Sequence, residues 1–361
     1  MTAMRSAMAL LTILLASFPL ALSAQTPSAV ATRQADAAIR LARDFAIPRY
    51  TALAAATERQ EQAWQSACAG PRGLEGSVVP LSERFRDAAD AWSAVEMIRD
   101  GPIGEDLRYD RMAHWPERRN AVARALAAQM RASEEPTVER LRQASVAAQG
   151  LTALERLIFG ADGAGPERAA DATLRRRSCA LGLAIAANLA RTARETLAGW
   201  QGPNGRLATL EHREARDARE TVSRFVTDAL TTLEAVADVK IGLPLGKAGA
   251  DSARPLLSEG WRSGRSLRAV ALNLDSVATC IRLLLAGAPD AAPWLVTTAG
   301  SARRLVDEIA PATLGEAVAD PKRRAGVALL RDAVRSWRLV AAAPIAEQLG
   351  VTLGFNSSDG D

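Results

Sequence analysis

From about residue 30 onward, apolar residues recur three and four positions apart, the spacing of one face of an α-helix. The pattern predicts a long helical stretch over 30–68 with Leu41, Phe45, Leu53 and Trp64 inward, kinked or restarted at Pro48. Gly70-Pro71 and the Gly73 to Pro80 segment read as a loop. A second helix follows from Leu81, carrying Phe85, Ala88, Trp92, Val95 and Ile98, and Asp100-Gly101-Pro102 ends it. Residues 103–116 break the period and are rich in Arg108, Tyr109, Arg111, His114 and Trp115. Further helices are predicted over 118–131, with Pro116 in the first turn, and over 136–147, 150–159 and 166–199. Gly202-Pro203-Asn204-Gly205 is the strongest internal break, and helices over 208–238, 252–258, 263–287, 292–309 and 323–349 follow it. Loops are expected at 241–246, 286–293 and near Pro311, and a frayed polar end at 356–361. No segment alternates as a strand would. The expected fold is all-α: two helical-bundle domains packed against each other, 25–205 and 206–361.

Composition agrees with helix. The chain has 361 residues, 48% hydrophobic but only 4% aromatic, and is dominated by Ala, Leu, Arg and Glu. The net charge of +4 is nearly all arginine, since lysine occurs only at 240, 247 and 322. The arginines are interspersed with acidic residues, as on solvated helix surfaces, which argues against a nucleic-acid partner. The only histidines are His114 and His212, and there is no CxxC. Zinc fingers, multi-histidine zinc sites and c-type haem attachment are thereby excluded. Phosphate-binding loops, dinucleotide fingerprints and G-x-S-x-G elbows are absent as well.

The first residues change the picture. One arginine, Arg5, precedes the apolar run Ala7–Leu22, and small residues at Leu22-Ser23-Ala24 precede Gln25. Residues 1–24 are expected to be a secretory signal peptide, and the mature chain periplasmic, with no transmembrane segment. In an oxidising compartment three cysteines allow one disulfide. Cys68 and Cys179 lie near helix ends in one predicted domain and are the expected pair. Cys280 sits in an apolar helix, where a buried free thiol is expected.

Three clusters carry candidate chemistry. In QGLTALERLIFG (149–160), Gly150 opens a helix and Thr152 and Glu155 lie one turn apart on one face. Glu155 is either a partly buried ligand or ion-pair partner, or a surface carboxylate beside Arg156 and Arg140. In Ser258–Ser266, Glu259, Trp261, Arg262, Ser263 and Ser266 surround two glycines just before a long helix. A serine there can cap the helix, and free amides there can hold an anion. The third cluster is Trp115 and Arg118, in HWPERRN.

The chain resembles the imelysin-like family, peptidase family M75, in its periplasmic branch. The resemblance rests on GP (101–102), HWPERRN (114–120), QGLTALERLIFG (149–160), IGLPLG (241–246) and EGWRSGRSL (259–267), in that order. It implies two facing helical bundles, an envelope location, a link to iron or haem acquisition and a site between the bundles. The family motif Gly-x-His-x-x-Glu maps onto Gly150, Thr152 and Glu155, so threonine stands at the histidine position. Threonine is a poor transition-metal ligand where imidazole is a common one. The expectation is therefore an exported binding protein, with no catalytic residue, no metal ligand and no identified cofactor. Its partner would be a small ligand or an envelope protein of an iron or haem system. A metal-dependent peptidase and a structural envelope protein are the alternatives. Glu155 is expected to face 259–266, with Arg262 as its partner.

Overall fold

The computed structural model describes residues 27–69, 78–160, 172–212, 215–247, 249–286, 293–310 and 312–352. The signal peptide expected over 1–24 and the polar end at 356–361 lie outside them. So do most of the 70–80 and 286–293 loops, the turn beyond Gly160 and Pro311. Among the described residues every regular element is helical.

In chain order, the first helices are α1 (Pro27–Arg40), α2 (Ile47–Ala69), α3 (Val78–Ser93), α4 (Arg108–Met112), α5 (Ala121–Arg131), α6 (Val138–Gln143), α7 (Gly150–Phe159) and α8 (Ala172–Gln201). After the break at 202–205 come α9 (Arg206–Glu211), α10 (Ala215–Glu234), α11 (Gly242–Leu245), α12 (Ser266–Leu284), α13 (Pro293–Ile309), α14 (Leu314–Ala319) and α15 (Pro321–Leu349). Helix α8 packs along α2, and α7 leans on α8 and α3. In the second half α10, α12, α13 and α15 pack on one another. Helix α1 lies on α10, and the N-terminal part of α12 meets α3, so side chains from both halves join one buried apolar cluster.

Local chemistry explains where the elements depart from their sequence pattern. The α-helix restarts next to Pro48, as its position in the sequence predicts. The chain passes through a π-helical turn, Leu41–Ala46, and Pro48 falls in the first turn of α2. The amide of Ile47 reaches back five residues to Ala42 O, and in the first turn of α2 the missing N–H of Pro48 costs little. The second helix ends at Ser93 rather than near 99. Val95 and Ile98 are fully buried, Val95 in a turn and Ile98 in the irregular stretch after it, because burial and not helical period places them. Pro116 is not in a helix. The Trp115–Pro116 bond is cis, and α5 starts only at Ala121, after Arg119 and Asn120 in left-handed conformation. The segments expected as helix over 136–147 and 252–258 break into short pieces.

Two close contacts hold the first half. Gly182 of α8 receives the Trp64 ring of α2 so closely that a Cβ there would lie 2.2 Å from it. A disulfide joins Cys68 at the end of α2 to Cys179 near the start of α8, and Cys280 is a buried free thiol.

Candidate functional site

Helix α7 is positioned from its first residue. Gly150 has φ +70°, and a Cβ there would lie 2.4 Å from the carbonyl oxygens of both Arg111 and Met112. Only glycine lets the helix start that close to the preceding backbone. Gln149 reinforces the junction, its side-chain oxygen accepting from Asn188 Nδ2 at 3.0 Å and from Arg111 at 3.3 Å. The rest of α7 is mostly apolar and buried, and Glu155 is buried with it, 5% exposed.

Glu155 Oε1 accepts hydrogen bonds from Ser263 N at 2.9 Å and from Ser263 Oγ at 2.7 Å. Burial pushes the Glu155 carboxyl up from the ordinary glutamate range. The Ser263 hydroxyl and amide and the Arg262 guanidinium act against that rise. The direct partner of Glu155 is thus Ser263 and not the Arg262 side chain. The Arg262 guanidinium stacks over the Trp261 ring at 4.3 Å and acts on the carboxylate through its charge. The turn that presents Ser263 uses Gly260 and Gly264, both at positive φ. Helix α3 clamps the same turn, with Arg86 donating to Ser263 O and Arg265 pairing with Asp90. Ser266 does not cap α12. It is the first helical residue, buried, with its Oγ unpartnered, while Arg265 occupies the cap position without a side-chain bond.

Beside this junction lies a buried ion cluster. Lys240 lies in the last turn of a π-helical segment, Ala235–Ile241, that continues α10. Its Nζ contacts Glu96 Oε1 and lies 2.6 Å from Glu259 Oε2. Asn273 of α12 donates to Glu96 Oε1 at 2.6 Å and to Ser93 O at 2.7 Å. Burial pushes the Glu259 carboxyl up to about 7. Lys240 opposes the rise, and the neighbouring Glu96 and Glu155 carboxylates add to it. The two carboxylates hold the Lys240 ammonium well above the usual lysine range despite its burial.

Two cavities meet at this cluster. The larger, about 320 Å³, is walled by Trp92, Tyr109 and Trp115, and Glu96, Thr232, Lys240, Glu259 and Asn273 also face it. The smaller, about 50 Å³, is lined by Thr152, Glu155 and Ser263. Trp92, Ala113, Trp115 and Glu259 belong to both walls. Thr152, Glu155, Glu259, Ser263 and Trp115 therefore come together, whereas Gly150, Arg262 and Ser266 line neither cavity. Arg118 is exposed in the turn before α5, and neither it nor the 36%-exposed Trp261 lines either cavity. Lys240, Glu96, Asn273, Trp92 and Tyr109 are site residues that sequence reasoning missed. One signal was present: Lys240 is a rare lysine in an arginine chain, set inside the apolar run VADVKIGLPLG.

Fold and site define an all-α protein with a buried, acid-rich cleft where its two halves meet. The chain belongs to the imelysin (peptidase M75) family, whose sequence model matches residues 46–338. Its fold is similar to that of an imelysin-like protein from Psychrobacter arcticum 273-4, with a TM-score of 0.72 at 19% identity over 90% of this chain and 98% of that one. It is also similar to a Parabacteroides distasonis ATCC 8503 protein whose name, iron-regulated protein A precursor, is itself an assignment. There the TM-score is 0.68 at 12% identity, over 87% of this chain and 95% of that one. No curated protein matches the chain.

The residues present do not fit a resident metal. Thr152 supplies no imidazole, and Glu155 already spends one carboxylate oxygen on Ser263. Among the described residues no three His, Cys, Asp or Glu side chains gather as a metal would need.

Proposed function

We propose that this chain is an exported binding protein of the cell envelope. On this reading the joined cleft between two bundles, 25–205 and 206–361, takes a small ligand, and the protein serves iron or haem acquisition without hydrolysing anything. The observation that carries the reading is the cleft itself. Aromatic walls surround buried polar groups with unused hydrogen-bonding capacity, the usual make-up of a ligand pocket. The Cys68–Cys179 disulfide supports an oxidising compartment. Among the described residues no helix is long and apolar enough to cross a membrane. The precursor label and iron regulation in the name of the Parabacteroides distasonis protein support export and the iron link.

The test pairs two assays on the purified mature chain. Thermal unfolding is followed with ferric and ferrous iron, haem and a panel of small metabolites, and cleavage of an unfolded protein substrate is followed with and without chelator. The expected result is stabilisation by at least one compound, lost when Trp115→Ala opens the wall, with no cleavage. Chelator-sensitive cleavage lost in Glu155→Gln would replace this reading with the peptidase alternative.

A further inference from the structure

The cleft has a charge imbalance that says what it binds. Glu96 and Glu259 face the larger cavity and Glu155 and Glu259 the smaller, and among the described residues Lys240 is the one cation in direct contact with Glu96 and Glu259. Carboxylates alone would not make a site, since protons can neutralise them. A second observation points to a ligand. Asn273 is fully buried, and its Nδ2 faces two acceptors, Ser93 O and Glu96 Oε1. That fixes the amide orientation and leaves Oδ1 as an acceptor with no hydrogen-bond partner. Thr232, 4% exposed, also lines the larger cavity, and its Oγ1 has no hydrogen-bond partner. Buried polar atoms are normally paired, so the Asn273 oxygen marks where a donor belongs, and the Thr232 hydroxyl can accept from the same ligand.

An anion would fit poorly. The Lys240 ammonium is already held by two carboxylates, and the Asn273 donors are spent. At the cavity edge Glu234 and Asp238 add negative charge, paired outward to Arg338 at 2.8 Å and Arg335 at 2.6 Å. Arg99 also lines the cavity, its guanidinium 5.0 Å from the Tyr109 ring centre. Trp92 Nε1 and the Thr232 hydroxyl are the buried donors left in the wall, while Arg99 is exposed. Trp92, Tyr109 and Trp115 offer aromatic surface, which favours a cation over neutral or anionic groups.

We propose that the larger cavity binds a small primary amine as its ammonium ion. Its N–H groups are directed to Asn273 Oδ1, Thr232 Oγ1 and the Glu259 carboxylate, and its carbon chain lies among Trp92, Tyr109 and Trp115. A hydroxyl further along the chain would accept from Trp92 Nε1, so an amino alcohol satisfies more of the wall than a plain alkylamine. The proposal rests on the binding reading above and deepens it. The groups that face Glu259 are Lys240, Glu96 and Glu155, so the ammonium competes there with a proton. Affinity then rises with pH through the Glu259 titration, with proton release on binding.

Titration calorimetry with propylamine, ethanolamine, tetramethylammonium and butyrate, at about pH 6 and about pH 8, tests this. Primary amines are expected to bind at least about tenfold more tightly than tetramethylammonium, which has no N–H to donate. Binding should be tighter at the higher pH. Thr232→Val should weaken it about fivefold or more by removing one buried acceptor. Glu259→Gln should abolish its pH dependence. Circular dichroism establishes that both variants fold. Butyrate binding in place of the amines, or equal binding of tetramethylammonium, would overturn the ammonium proposal while leaving the cleft as a binding site. No heat with any amine, with the wild type folded, would overturn it as well. The separate metabolite screen decides whether the cleft binds anything else.

Discussion

At the residue scale, the informative pair is Glu155 and Ser263. A carboxylate 5% exposed has lost most of its water, and one serine returns two hydrogen bonds through its amide and its hydroxyl. The hydroxyl also lies 3.1 Å from Gly260 O, but its single proton serves one acceptor, and the nearer is the carboxylate. Ser263→Ala is therefore expected to cost about 1–3 kcal/mol, the range for a hydrogen bond to a charged group. A double-mutant cycle of Glu155→Gln with Ser263→Ala, read by denaturant unfolding, should give coupling above about 0.5 kcal/mol, the scatter of independent sites. The same cycle with Arg262→Gln should give less. Larger coupling to Arg262 would show that charge, not the serine hydrogen bonds, holds the carboxylate. The position of Glu155 on a helical face was legible in the sequence. Its partner was not, because a backbone turn with two left-handed glycines, and not side-chain reach, decides which residue of 259–266 points at it.

At the element scale, long helices with steady apolar spacing were readable. Helix α7 and the extents of α12 and α13 lie close to their sequence pattern. The failures share one cause. Val95, Ile98 and Met112 are buried by tertiary contacts around the cleft, where local propensity has little say. The π-helical turns were invisible for a related reason. An extra residue in a helix leaves the hydrophobic pattern almost intact, yet the turn at Ala235–Ile241 is what brings Lys240 into the ion cluster. The link between α2 and α8 carries its own expectation. The disulfide spans 111 residues of sequence, and in the chain-entropy description closing so long a loop stabilises by about 4–5 kcal/mol. Replacing both Cys68 and Cys179 by Ala should lower unfolding free energy by a large part of that. Peptide mass spectrometry without reductant should find the 68–179 pair, with Cys280 unpaired. A double variant as stable as wild type would show that Trp64 against Gly182 and the rest of the α2–α8 packing suffice alone.

At the scale of the whole molecule, the seam between the halves is unusually polar for a buried surface. It holds Glu155, Glu96, Glu259, Lys240 and Asn273, and also Asp228, whose carboxylate accepts from Arg99 N at 3.0 Å. Burial pushes Asp228 up to about 6 and Glu259 up to about 7, and raises Glu155 too. Carboxyls with raised folded-state pKa values bind protons more tightly in the folded chain than in the unfolded one. Their stabilisation is fully present below their ordinary unfolded values, near about 4, and is lost as pH rises through the folded values. Stability is therefore expected to fall between about pH 5 and about pH 8, and Glu259→Gln should flatten that slope. Glu316, in the exposed capping box of α14, is shifted down, so its effect lies below this window. Stability that rises across the window would mean the seam is better hydrated than its burial indicates. The family relationship was legible from five short motifs, and the all-α class from the three- and four-residue apolar spacing. The ion cluster was not, because Glu96, Lys240 and Asn273 are far apart in sequence, and nothing in the sequence pairs the rare Lys240 with the other two.

The proposed function turns on whether the family's acidic position still serves a metal here. Equilibrium dialysis of the purified protein against Fe(II) and Zn(II), with metal content measured after gel filtration, addresses this directly. With Thr152 at the histidine position and Glu155 held by Ser263, any metal retained should be well below one equivalent and unchanged in Glu155→Gln. About one equivalent retained by the wild type, at the micromolar affinity or better of a built site, and lost in Glu155→Gln, would contradict the reading and return this chain to metal chemistry.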